Sequence, residues 1–264
     1  MLIPRKILFL SLLSAFLAAN SADAGILCNL YLRFSRNVNA LAVRLNTFPT
    51  GRVLADYVKA FGEPLLTALH SLTASSHWID VGAGQARAQL DFLNASPEVV
   101  KTTAISVRRP FLSFSLERGL RAAFPEKAAV RRYIEGYIES TVVEKADIVT
   151  DLFGAILYSP NIDVTLKAEL EALKTNGQLF VYVPHFLFTI TNPTGTNIGL
   201  SGWLRNVKGV EIVKNDSIGT FILRRTSGPL EIPALELTSM TADVAGSTRG
   251  YSLLPHAVGD ATQR

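Results

Sequence analysis

The spacing of apolar positions changes character twice along this chain. Over residues 26–75 apolar side chains recur at helix spacing, as Val53, Leu54, Tyr57, Val58 and Phe61, then as Leu65, Leu66, Leu69 and Leu72. Gly62-Glu63-Pro64 divides the two stripes, and Pro64 suits a first helical turn. From His77 onward short apolar runs alternate with amphipathic segments. His77–Val81, Thr102–Val107, Val130–Ile134, Asp147–Thr150 and Gln178–Val183 read as five strands, the last apolar enough for burial on both faces. Between them lie a helix over Ala86–Phe92 and another with Phe111, Leu112, Leu116 and Leu120 on its stripe. A third opens at Ser159-Pro160, carries Leu166, Leu170 and Leu173, and closes at Asn176-Gly177.

Val210–Val213 and Thr220–Arg224, turning around Asn215-Asp216, form a hairpin-like pair and are expected to run antiparallel. The whole predicts an α/β fold: a Rossmann-like, doubly wound, mostly parallel seven-stranded sheet over 76–228, covered by N-terminal helices over 25–75. Residues 229–264 are rich in Pro, Gly, Ser, Thr and Ala and lose all periodicity. They are expected to be a disordered or loosely docked tail.

The first 24 residues stand apart from this pattern. Arg5-Lys6, the apolar run Ile7–Ala19 and the small-x-small site Ala22-Asp23-Ala24 read as a secretory signal peptide cleaved before Gly25. The apolar run is short for a membrane span of about 20 residues. Left uncleaved, it would anchor the protein to a membrane instead, and the positive flank would still place the remainder outside the cytoplasm.

At 264 residues, 48% apolar and 18% charged, the chain has material for one good core. Its net charge of +4 is spread over scattered pairs such as Arg108-Arg109, Arg131-Arg132 and Arg224-Arg225, which gives no footprint for nucleic acid. The single Cys28 excludes an internal disulfide. His70, His77, His185 and His256 have no ligand spacing, so no metal site is expected.

Candidate chemistry concentrates in Trp78-Ile79-Asp80-Val81-Gly82-Ala83-Gly84-Gln85-Ala86-Arg87, where a strand runs into a glycine turn and a helix. Glycines there let backbone N–H groups approach a ligand closely. A dinucleotide fingerprint needs a small third residue where Arg87 stands, and an acid about 20 residues on. Neither is present in the right place. Asp151 ends the fourth strand, the usual edge for sites in open α/β sheets, and Tyr158 and His185 are the other polar groups near that edge.

The frame Asp80-x-Gly82-x-Gly84-x-Ala86 resembles motif I of the class I S-adenosylmethionine-dependent methyltransferases. Ala146–Gly154 looks like that family's fourth strand and active-site loop, and Leu173–Leu179 is similar to its turn into the fifth strand. The resemblance covers roughly residues 76–225 and implies S-adenosylmethionine as cofactor. It implies that Gly82, Ala83 and Gly84 line the methionine half with backbone, and that Asp80 binds the amino group. Ser106 and Val107 would lie at the ribose, Tyr137 at the adenine, and Asp151 and Leu152 beside the sulfonium. No acid ends the second strand, where the family usually has one.

The expected function is therefore methyl transfer to a small-molecule or lipid-like acceptor, with Phe186-Leu187-Phe188 as part of the acceptor's wall. Two other readings stay open: an exported, non-catalytic binding module of the same fold, and an NADP-dependent oxidoreductase with Arg108 and Arg109 on a 2′-phosphate.

Overall fold

A computed structural model describes residues 51–243 and 246–254, with the side chains of 111, 112, 185 and 241–247 outside that description. The expected signal peptide, Cys28 and the first half of the helical cover lie outside the described residues.

Leu54–Phe61 (α1) and Glu63–His70 (α2) are separate helices because Gly62 turns the chain at φ 70 and Pro64 enters the first turn of α2. Their shared stripe of Tyr57, Phe61, Leu65 and Leu69 is buried. It packs on one face of a sheet whose order is β3-β2-β1-β4-β5-β8-β7. The strands are His77–Val81 (β1), Lys101–Ser106 (β2), Arg131–Glu135 (β3), Ala146–Leu152 (β4) and Leu173–Tyr182 (β5), with Val210–Asn215 (β7) and Thr220–Arg225 (β8). The first five are mutually parallel, and β8 runs antiparallel to both β5 and β7. This is the doubly wound, mostly parallel seven-stranded sheet of the methyltransferase type.

Side chains alternate across the sheet. Trp78, Ile148, Leu152, Phe180 and Ile222 face α1, α2 and the helix Arg87–Ala95 (α3). Ile79, Val81, Val149, Val181 and Leu223 face the helix Ile162–Glu171 (α7) and Trp203. Phe111–Ala123 (α4), Pro125–Ala129 (α5), Ala155–Tyr158 (α6) and Gly199–Leu204 (α8) complete the helices between strands.

Two expectations are corrected. The helix expected to run on to Asn176-Gly177 ends at Glu171, and β5 begins at Leu173. Leu173 pairs with Ala146 and the register shifts before Ile148 meets Gln178. Asn176-Gly177 thus lies in a bulge, where Asn176 takes φ 68. The local signal for a helix end is equally a signal for a bulge.

The tail is the second correction. Leu235–Asp243 (β9) and Gly246–Leu253 (β10) join Phe188–Thr191 (β6) in a sheet of order β6-β10-β9. Arg249, half hidden in sequence among Ser, Thr and Gly, is buried and donates to the carbonyls of Leu157 (2.6 Å) and Ser159 (2.9 Å). Tyr251 is buried and stacks on Phe188 at 6.3 Å between ring centroids. Most of β9 remains exposed, so no alternation of polarity announced the strand.

Candidate functional site

β1 ends inside the sheet between β2 and β4, where the strand order reverses. Ligands of open α/β sheets bind outside the carboxyl ends of the strands at such a point. The chain leaves β1 through three left-handed residues, Gly82 (φ 69), Gly84 (φ 55) and Ala86 (φ 54). The Ala83 N–H is held by the carbonyl of Ile105 at 3.0 Å, which fixes the turn to β2. Gly82 has a second reason to be glycine. A Cβ there would run into Cα of Gly154, and a Cβ on Gly154 into the Val81 carbonyl and the Asp151 carboxyl. The turns after β1 and β4 therefore touch backbone to backbone.

Asp80 does not face the turn's outer side. It is fully buried on the α1 face, beside its register partner Thr150. Thr150 Oγ1 donates to Asp80 Oδ1 at 2.7 Å, and Tyr57 O–H donates to both carboxyl oxygens at 3.0 and 2.8 Å. Trp78 Nε1 donates in turn to Thr150 Oγ1 at 3.0 Å. Burial pushes Asp80 up from 3.8 to about 6, against the pull of those two hydroxyls and of the Arg52 charge. Burial and the Asp80 charge likewise raise Tyr57 well above its ordinary value.

Arg52 is the cation of this site. Its Nη2 donates to the Gly82 carbonyl at 2.7 Å, while its Nε is buried with no hydrogen-bond partner. Its charge acts on Asp80, Asp151 and Tyr158. Nothing in the apolar periodicity marked it, because it precedes α1 and belongs to no stripe.

Asp151 and Leu152 are the last residues of β4 and are buried, not displayed on a loop. Asp151 turns its carboxyl back under the strand end, accepting from Gly154 N–H at 2.6 Å and Ile156 N–H at 2.8 Å. Burial raises it, and the buried Glu169 of α7 adjoins it. Leu152 packs in the α1-face core.

Ser106 ends β2 half-buried, with its hydroxyl donating to the Arg108 carbonyl at 3.2 Å. Val107 and Tyr137 are exposed on the same edge, at 42% and 54%. Ser106 is in register with Glu135, an exposed carboxylate ending β3. Tyr133, two residues earlier and so on the same face, donates its O–H to the Gly84 carbonyl. Glu135 was invisible as a site residue because only the pairing of β2 with β3 brings it beside Ser106.

Arg109 pairs with Glu117 and lies over the rings of Phe114 (4.1 Å) and Tyr133 (4.6 Å). It is therefore committed to protein partners and not free for a 2′-phosphate. Of Phe186-Leu187-Phe188, only Phe186 projects, at 73% exposure, while Leu187 and Phe188 are buried under β10. The His185 side chain lies outside the described residues. Tyr158 is exposed at 43%, on α6 directly after the β4 turn. A concavity of about 210 Å³ lies between the end of α2 and the starts of β4 and β5, away from the glycine turn. Among the described residues no group of three or more His, Cys, Asp or Glu could hold a metal, and no helix is long and apolar enough to cross a membrane.

No family model matches the chain, and no curated protein matches it. Among solved structures it is similar to the cyclase SpnF, at 14% identity over 62% of this chain and 80% of that one, with a TM-score of 0.45. It is similar to the N,N-8-amino-8-demethyl-D-riboflavin dimethyltransferase RosA from Streptomyces davawensis, at 15% identity, 66% and 56% coverage and a TM-score of 0.42. A third is the SAM-dependent methyltransferase from Thiobacillus denitrificans in complex with S-adenosyl-L-homocysteine, at 16% identity, 54% of both chains and a TM-score of 0.36. The chain spans little more than half the length of the last two. The fold class rests on the strand order and not on these likenesses.

Proposed function

We propose that this protein binds S-adenosylmethionine at the carboxyl edge of β1, β2 and β3 and transfers its methyl group to an apolar small-molecule or lipid-like acceptor. The observation that carries the reading is Arg52, whose unpaired buried N–H lies against the glycine turn at the point of strand reversal. A guanidinium with a spare donor suits the carboxylate of an amino-acid ligand. Asp80, behind the turn, supplies the negative charge that offsets Arg52 before a ligand arrives. Glu135 offers ribose hydroxyls the carboxylate that Ser106 lacks. Gly82 and Gly84 supply the left-handed backbone of the turn, and Tyr133 holds the Gly84 carbonyl in place.

The cofactor, when bound, supplies an electrophilic methyl group on a sulfonium. The protein's part is then to orient the acceptor and exclude water, since alignment supplies most of the rate in such transfers. Val107, Tyr137, Tyr158 and Phe186, all exposed beyond the strands' carboxyl ends, support an apolar acceptor. We further propose that the domain is exported by residues 1–24.

The burial of Asp80 favours a second reading, an exported module that keeps the fold without turnover, because both carboxyl oxygens are already taken by Tyr57 and Thr150. Titration calorimetry of the full chain with S-adenosylmethionine and S-adenosylhomocysteine, with NADP as control, separates the two. Methyl transfer requires binding that Arg52→Ala and Glu135→Ala each weaken by about tenfold to a hundredfold, the worth of a charge-assisted hydrogen bond. No binding of either ligand up to about millimolar would leave the non-catalytic module.

A further inference from the structure

Glu169 is a buried acid that the cofactor reading does not use. It has no solvent exposure, and neither carboxyl oxygen receives a hydrogen bond from any N–H or neighbouring hydroxyl. The polar group it meets is the carboxyl of Asp151, itself without exposure. Two carboxylates cannot face each other in a dry site unless a proton lies between them. Asp151 already accepts the N–H groups of Gly154 and Ile156, which hold its negative charge in place. The proton therefore belongs to Glu169, whose O–H donates to Asp151.

We propose that Glu169 and Asp151 share a single proton, and that Glu169 is a positioning residue which, through Asp151, holds the turn after β4 against the glycine turn. The links are contiguous. Asp151 fixes Gly154, Gly154 packs on Gly82 with no room for a Cβ, and the Gly82 carbonyl receives Arg52. The charged or titratable groups around the pair are Arg52 ahead of α1, Asp80 on β1, Glu139 in the turn 138–140 and Tyr158 on α6. Glu139 is occupied by the Thr165 hydroxyl. The remaining neighbours on this face, Ile156, Ile162, Leu166 and Leu170, are apolar and offer no alternative donor.

Only the last consequence, for ligand affinity, rests on the cofactor reading. Glu169→Gln keeps a donor toward Asp151 without a titratable proton, and Glu169→Leu keeps the bulk and removes the donor. An unfolded glutamate releases its proton near its ordinary value of 4.5, whereas the folded pair retains it. Stability from this proton is thus complete below that value and declines as pH rises above it. The unfolding constant of the wild type, divided by that of Glu169→Gln, is expected to rise as pH is raised above about 5, approaching about tenfold per pH unit. Infrared difference spectra of the two should show a protonated-carboxyl band at neutral pH in the wild type alone. Amide exchange at Gly154 and Ile156 should quicken at least about tenfold in Glu169→Leu and stay unchanged in Glu169→Gln.

For S-adenosylmethionine, Glu169→Leu is expected to lose about tenfold in affinity and Glu169→Gln to stay within about twofold. Parallel pH curves for wild type and Glu169→Gln, with no protonated-carboxyl band, would overturn the shared proton. Unchanged exchange at Gly154 and Ile156 in Glu169→Leu would overturn the positioning role. If the wild type binds no cofactor, the unfolding, infrared and exchange readouts still decide the inference, so its failure and that of the cofactor reading are told apart.

Discussion

Asp80 and Tyr57 form a pair whose chemistry follows from where they are buried. The Tyr57 hydroxyl spans both oxygens of a carboxyl that has no water to turn to. Removing it in Tyr57→Phe leaves Thr150 as the one hydroxyl donor and is expected to lower stability by about 1–3 kcal/mol, read from the urea midpoint. The raised Asp80 carries its own signature. A shift from 3.8 to about 6 amounts to about 3 kcal/mol that is present below pH 3.8 and lost as pH rises through 6. Stability curves of wild type and Asp80→Asn should therefore converge in shape above about pH 7 and diverge between about pH 4 and 6. Parallel curves between about pH 4 and 6 would mean that burial does not raise Asp80 in the fold. The spacing of Asp80 to Gly82 and Gly84 singled this residue out in the sequence. Its partners could not be found that way, because Tyr57 is 23 residues before it and Thr150 is 70 after it.

At the scale of elements, the two turns that meet at Gly82 and Gly154 set the tolerance of the site. Gly82→Ala combines a left-handed backbone with a Cβ aimed at Gly154, and is expected to cost about 3 kcal/mol or more. Gly195, at φ 84 with open space around it, provides the control, and Gly195→Ala should cost about 1 kcal/mol. Similar melting temperatures for the two variants would contradict the close approach of the turns. The small sheet offers a second test. Arg249 ties β10 to the end of α6 by two charge-assisted bonds to carbonyls, so Arg249→Met should lose on the order of 3 kcal/mol. β9 and β10 escaped the sequence pattern for the same structural reason that makes Arg249 matter. β6, which pairs with β10, lies far away in the chain, and among the described side chains of β10 only Arg249 and Tyr251 are buried.

At the scale of the whole molecule, the proposed export by residues 1–24 and the proposed binding of an intracellular cofactor call for a test of location. Mass spectrometry of the protein from an extracytoplasmic fraction is expected to find Gly25 as the mature N-terminus. Intact Met1 in a membrane fraction would show instead that the apolar run Ile7–Ala19 anchors the chain, which shifts the acceptor toward lipids.

The succession β1 to β5, the glycine turn and the antiparallel pair of β7 and β8 were decided by the sequence alone, since period, Gly and Pro placement are local properties of the chain. So was the covering stripe of Tyr57, Phe61, Leu65 and Leu69. The roles at the site were decided only by tertiary structure. Arg52 reaches Gly82, Glu135 comes beside Ser106, and Glu169 closes on Asp151 through contacts between segments that share no local pattern. Burial then sets their charge, because a carboxyl has one protonation state in water and another in a dry core, and no spacing of residues records which environment it will meet.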